Sequence, residues 1–182
     1  MSIRHVDTRH WDRDEFIRAW EAGDFNGRVE LIEGEVWPVV TGGRHDWIFD
    51  IAALLSRPGV RVKPGFLPSG ESLPVPDCWV RRYAQPVAPL SRKLSTWDPA
   101  DVLLVVEVSD ENVAQDLEIK SRIYGRAGWP VYWVVTPTVV YEHTEPFDQG
   151  YRNRVEYLPG QMLPLRYAST EVSIDDVIAP IP

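Results

Sequence analysis

The chain is poor in cysteine and in lysine. One cysteine among 182 residues, Cys78, cannot form an internal disulfide, and it has no CxxC companion to build a zinc site. A reducing compartment fits this usage, so the cytoplasm is the expected location. Apolar runs are short: Val102 to Val106 is of strand length, far below the ~18 residues of a membrane span. Residues 1–14 are polar and charged and lack the apolar centre of a signal peptide. The sequence holds no GxGxxG, P-loop or GxSxG element. Net charge is -8 with pI about 5.0, which excludes a generic DNA-coating protein of the usual basic kind. An enzyme with acidic metal ligands and a local basic patch stays open.

The composition is otherwise that of a soluble globular chain, with 44% hydrophobic and 25% charged residues. The length suits one domain: an N-terminal helix and hairpin extension over 1–43, then a core and C-terminal strands over 44–182. The pattern predicts a helix from Thr8 to Ala22, with Asp7 or Thr8 as N-cap and Gly23 as its stop. It predicts a strand pair over Arg28 to Val40 turning at Glu33-Gly34. A helix over His45 to Ser56 follows, then strands over Arg61 to Leu67 and Asp77 to Arg82. Pro86 to Ala100 reads as a polar loop. Asp101 to Ser109 reads as a strand, Val113 to Ala127 as a helix stopped by Gly128, and Val131 to Val135 as a strand. Val139 to His143 and Arg152 to Leu158 read as a hairpin. The strand–helix–strand unit from Val102 to Val135 points to parallel central strands, hence an α/β domain with a mixed central sheet flanked by helices.

The chemistry is sought where charge interrupts an apolar pattern. Strand DVLLVVEVS is apolar on both faces except for Glu107 and the terminal Ser109. A lone carboxylate there is costly unless paired or bound to metal. On a helical wheel, Lys120, one of only three lysines (Lys63, Lys93 and Lys120), falls in the middle of the apolar face, with Asp116 beside it one turn earlier. One reading is a buried Asp116–Lys120 ion pair that fixes the helix on the sheet. The other is a lysine aimed at Glu107, able to orient or activate a water. Asp77, after Pro76, opens its strand. Two carboxylates and a lysine are the parts needed for Mg²⁺- or Mn²⁺-assisted hydrolysis. Arg61, Arg81 and Arg82 are candidates for phosphate contacts, because a guanidinium offers a fork of donors. Eight Trp, with Trp11, Trp37 and Trp97 expected at the surface, suggest a self-association face and a homodimer.

Read together, ELIEGE (Glu30 to Glu35), His45 at a helix start, VPD (Val75 to Asp77), LLVVEVSD (Leu103 to Asp110), D-x-x-x-K (Asp116 to Lys120) and YGRAGWPVYWVV (Tyr124 to Val135) resemble the Uma-two family of restriction-endonuclease-like proteins. That family belongs to the PD-(D/E)XK nuclease superfamily. The resemblance covers about Glu30 to the C-terminus. It implies a restriction-endonuclease-like core and a metal-dependent endonuclease acting on DNA. It maps the Pro-Asp element onto Pro76-Asp77 and the acidic member of the (D/E)XK element onto Glu107. The third position of that element is Ser109 here, and the resemblance moves the lysine to Lys120 on the following helix. By analogy the backbone carbonyl of Val108 joins Asp77 and Glu107 as a metal ligand. Glu30, His45 and Asp116 are accessory candidates. Where the family often carries Ser-Pro-Ser/Thr-Thr, this chain has Ser109-Asp110-Glu111-Asn112. The rival readings are a nuclease fold retained as a binding or assembly module, and a metal-dependent hydrolase of a small phosphoester.

Overall fold

The computed structural model describes residues 9–39, 45–110 and 112–178. Helix α1 (Arg13–Ala22) is capped by Asp12, whose carboxylate accepts the Glu15 N–H at 2.7 Å, and it ends at Gly23 in the left-handed region. The cap therefore falls later than Asp7 or Thr8, which lie outside the described residues. Strands β1 (Val29–Ile32) and β2 (Glu35–Pro38) pair across Glu33-Gly34 as the alternating pattern requires. Helix α2 (His45–Leu55) leads to β3 (Val60–Lys63), which stops short of the predicted Leu67. Strand β4 (Cys78–Arg82) follows. The expected polar loop of 86–100 contains a small strand pair, β5 (Ala88–Pro89) with β6 (Ser95–Thr96).

Strand β7 (Val102–Val108), a helical segment α3 (residues 113–126) and β8 (Val131–Val135) form the central unit. The chain closes with β9 (Val140–Phe147), β10 (Gly150–Tyr157), a hairpin of β11 (Met162–Leu165) and β12 (Thr170–Ser173), and a terminal turn Ile174–Val177. Six strands make the main sheet in the order β10-β9-β8-β7-β4-β3. Only β7 and β8 run parallel within it, because α3 carries the chain back between them. The expectation of a mixed sheet flanked by helices holds. Among the described residues, no helix is long and apolar enough to cross a membrane.

One face of the sheet packs against α2 and the C-terminal hairpin, through Ile51, Leu55, Val80, Trp133 and Leu163. The other packs against α3 through Trp79, Val105, Tyr124, Trp129 and Tyr132. A third apolar cluster joins α1 to the β1–β2 hairpin through Phe16, Leu31 and Leu73. Trp11, Trp37 and Trp97 are half-buried rather than exposed. Trp97 packs edge-on against Trp79, with ring centroids 5.8 Å apart.

His143 is buried on the α3 side, with Nδ1 3.2 Å from the Tyr132 carbonyl oxygen. Burial pushes its pKa from 6.5 down to about 4, against the opposing pull of that carbonyl. A depressed pKa means that the unfolded chain binds the proton first. Stability is therefore complete above pH 6.5 and is lost as pH falls toward 4. The full loss is about 3 kcal/mol. Urea melts at pH 7 and pH 4.5 should show this slope in the wild type, and His143→Gln should flatten it.

Candidate active site

The site lies at the carboxyl end of β7, where ligands bind in α/β sheets. Glu107 is the penultimate residue of a strand buried along its whole length. Its Oε1 accepts two hydrogen bonds, from Lys120 Nζ at 2.9 Å and from the Tyr124 hydroxyl at 2.8 Å. Lys120 is only 6% exposed. Its ammonium also stands 3.2 Å from Glu30 Oε1 and 4.0 Å from Asp116 Oδ1. Of the two readings of Lys120, the one aimed at the sheet describes the geometry. Asp116 is its most distant acidic partner, so the intrahelical pair is the weakest of its three contacts.

Backbone pairing explains why Asp77 and Glu30 meet here. Leu31 on β1 exchanges backbone hydrogen bonds with Leu73 at 2.8 and 3.1 Å. Glu30 Oε2, one residue earlier, accepts the Val75 N–H at 2.9 Å. The N-terminal hairpin is thereby stitched to the Val75-Pro76-Asp77 segment. Asp77 Oδ2 in turn accepts the Val108 N–H at 2.7 Å, which seats it beside the Glu107-Val108 stretch. Glu30, Val75, Asp77, Glu107, Val108, Asp116 and Lys120 all line one cavity of about 60 Å³, room for a few waters.

Helix α3 departs from regular α geometry where it reaches this cavity. Asp116–Lys120 forms a π-turn: the Ser121 N–H bonds to the Asp116 carbonyl, five residues back. The Tyr132 hydroxyl donates to the same carbonyl at 3.1 Å, pinning the turn to β8. The wider turn leaves both Asp116 and Lys120 buried, and π-turns recur at functional sites.

Four carboxylates face one ammonium. Burial raises the Glu107 pKa well above the usual carboxylate range; Lys120 opposes this, and Asp116, Asp77 and Glu30 reinforce it. Asp116 is raised too, first by burial, while Lys120 and the Ser109 hydroxyl favour its anion. Burial alone would discharge Lys120, but Glu107, Glu30 and Asp116 outweigh it and keep the ammonium charged. The result is a small, oxygen-rich, cation-deficient cavity. Hard oxygen donors of this kind suit Mg²⁺ or Mn²⁺ rather than a softer ion. Among the described residues, no three Asp, Glu, His or Cys side chains form a cage that could hold a metal on their own.

Arg61, Arg81 and Arg82 are not brought to this cavity. Arg81 and Arg82 end β4, whereas the cavity lies at its beginning, roughly 13 Å away at 3.3 Å per residue. Arg61 pairs with Arg81 from β3. The backbone of His45 opens α2, and its side chain lies outside the described residues. Tyr124 is the site residue that the sequence patterns passed over. It fell on the apolar face of α3, where only its need for a hydroxyl partner marked it.

A family model described as "Putative restriction endonuclease", Uma2, matches residues 13–175, nearly the whole chain. The chain belongs to the Uma2 family. The crystal structure of a "putative nuclease belonging to DUF820" from Anabaena variabilis superposes with a TM-score of 0.68 at 16% identity, covering 92% of this chain and 97% of that one. At that identity the likeness shows a shared fold. No curated protein matches the sequence. Membership of Uma2 makes the chain restriction-endonuclease-like.

Proposed function

We propose that the chain is a divalent-metal-dependent endonuclease that hydrolyses DNA phosphodiester bonds. The observation that carries this reading is the convergence of Asp77, Glu107 and Lys120 on one buried cavity, on elements far apart in the chain. Asp77, Glu107 and the Val108 carbonyl would hold Mg²⁺ or Mn²⁺. A cation bound there supplies Lewis-acid chemistry to the phosphodiester.

The chain's own residues account for the rest. Glu30 and Glu107 fix the Lys120 ammonium by contacts at 3.2 and 2.9 Å, so its charge is positioned before substrate arrives. That charge offsets the negative charge that grows as a phosphodiester is attacked, and its N–H groups orient the attacking water. The Tyr124 hydroxyl holds Glu107 in register with Lys120.

The test is nicking of supercoiled plasmid with Mg²⁺, Mn²⁺ or EDTA. Conversion to open circle with either metal, none in EDTA, and at least about a hundredfold loss in Asp77→Asn is the expected result. Intact plasmid at high protein concentration with both metals would overturn it. Cleavage of bis-p-nitrophenyl phosphate under those conditions would instead favour the small phosphoester.

A further inference from the structure

In an acidic chain, cations without acidic partners are conspicuous. Arg61, Lys63 and Arg81 share one face of the adjoining strands β3 and β4, while Arg82, opposite Val60, points to the other. Among the described residues, no carboxylate makes a salt bridge with any of the four. The register sets Arg61 directly opposite Arg81, and Lys63 opposite Trp79. Like charges facing each other across a strand pair destabilise a sheet, so this arrangement calls for something other than stability.

The patch is also ordered by aromatic rings. The Arg61 guanidinium carbon lies 4.6 Å from the centre of the Tyr83 ring, which is 63% exposed. That of Arg81 lies 4.2 Å from the Trp97 ring. Arg81 is only 8% exposed; one terminal nitrogen donates to the Arg82 and Ala84 carbonyls, while its buried Nε has no hydrogen-bond partner. Arg82 Nε makes one long bond to the Ala100 carbonyl, at 3.4 Å. Asp101 is the acid whose charge reaches Arg81. Trp97 touches both Trp79 and Arg81, which puts Arg81 on the α3 side of the sheet, the side that also carries Glu107.

We propose that Arg61 and Lys63, with Arg81 packed beside them, form a second contact for the phosphodiester backbone of DNA, separate from the cavity. This rests on the nuclease reading and gives it a substrate footprint. Arg61, level with Arg81, lies roughly 13 Å from Asp77 along β4, which is about four base pairs of B-DNA. It resolves the objection raised by the net charge of -8, because binding would depend on one local cluster and not on the whole surface. Stacked guanidinium groups are pre-aimed, so they lose little freedom when they meet phosphate.

The test uses the full chain in EDTA, with a fluorescein-labelled 20-base-pair duplex followed by anisotropy from 50 to 200 mM salt. The double variant Arg61→Ala/Lys63→Ala removes the two patch side chains that reach solvent and leaves the buried Arg81 in place. Affinity is expected to fall by about tenfold or more, equally for unrelated sequences. The slope of log affinity against log salt should shrink by roughly 2, near 0.9 per phosphate lost. Arg152→Ala/Arg154→Ala removes two other exposed arginines, on β10, and should leave the slope unchanged. An unchanged slope in the first variant, or an equal loss in both, overturns the patch and leaves the nuclease reading standing. A wild-type chain that binds no duplex at all overturns the DNA substrate together with it.

Discussion

Replacing Glu107 by Gln is expected to abolish metal-dependent cleavage and to leave the fold at least as stable as the wild type. The two effects have one origin. Glu107 is buried among Asp116, Asp77 and Glu30, and burial together with that crowding raises its pKa well above the ordinary value. The folded chain therefore binds this proton more tightly than the unfolded chain does. By linkage, Glu107 contributes most below the ordinary carboxylate pKa, and that contribution is lost as pH rises through its raised value. Gln keeps the acceptor that Lys120 and Tyr124 use, and it cannot be deprotonated. It also cannot offer an anionic oxygen to a cation. Cleavage should fall at least about a thousandfold, the scale of losing one group that stabilises charge in a transition state. Urea midpoints measured from pH 5 to pH 9 should decline less in Glu107→Gln than in the wild type. A variant that cleaves normally would remove Glu107 from the active site. A variant that melts early would make its role structural.

Replacing Lys120 by Met is expected to do the reverse to stability. The side chain keeps its length and loses its charge, and Glu30, Glu107 and Asp116 are left around an empty position. Removing one partner of a buried ion pair costs about 3–5 kcal/mol, because the remaining charge has no compensation. Against a total of roughly 5–15 kcal/mol this is a large fraction. Urea denaturation at pH 7 should show a markedly lower midpoint, and cleavage should be lost even where the variant stays folded. Adding Glu107→Gln to Lys120→Met should restore part of the loss by removing one of the stranded acids. Independent, additive effects of the two substitutions would mean that they do not share one electrostatic cluster. The contrast between the two single variants separates the roles. That outcome would mark Glu107 as kept at a cost to stability, as a functional group is, and Lys120 as serving both the fold and the chemistry.

Much of this was legible in residue order. The order of helices and strands, the parallel pair β7–β8 and the mixed sheet follow from alternation and from Gly and Pro punctuation. Glu107 and Lys120 stood out because each interrupts an apolar face, and a charge there needs a partner in any fold. Asp77 was marked mainly by its company. The regular wheel aimed Lys120 correctly although its premise was incomplete. The π-turn that carries it depends on Tyr132, whose hydroxyl comes from another strand. Tyr124 was concealed for the same reason: a tyrosine on an apolar helix face reads as core until its hydroxyl partner is known. Arg81 and Arg82 follow Asp77 along one predicted strand, and Arg61 opens the strand before it. An extended strand carries residues away at about 3.3 Å each, so closeness in sequence became separation in space.

Sequence by itself determined which side chains could not be left alone in this protein: Glu107 in an apolar strand, Lys120 and Asp116 on an apolar helix face, and a set of arginines with few lysines beside them. Those are properties of local periodicity and of the cost of burying charge, and they hold whatever the topology. Tertiary structure decided who meets whom. The Leu31–Leu73 pairing brought Glu30 to the site, the parallel return through α3 set Lys120 over Glu107, and the antiparallel β3–β4 register faced Arg61 with Arg81. These are contacts between residues distant in sequence, selected by the packing of three apolar clusters, and no local pattern encodes them.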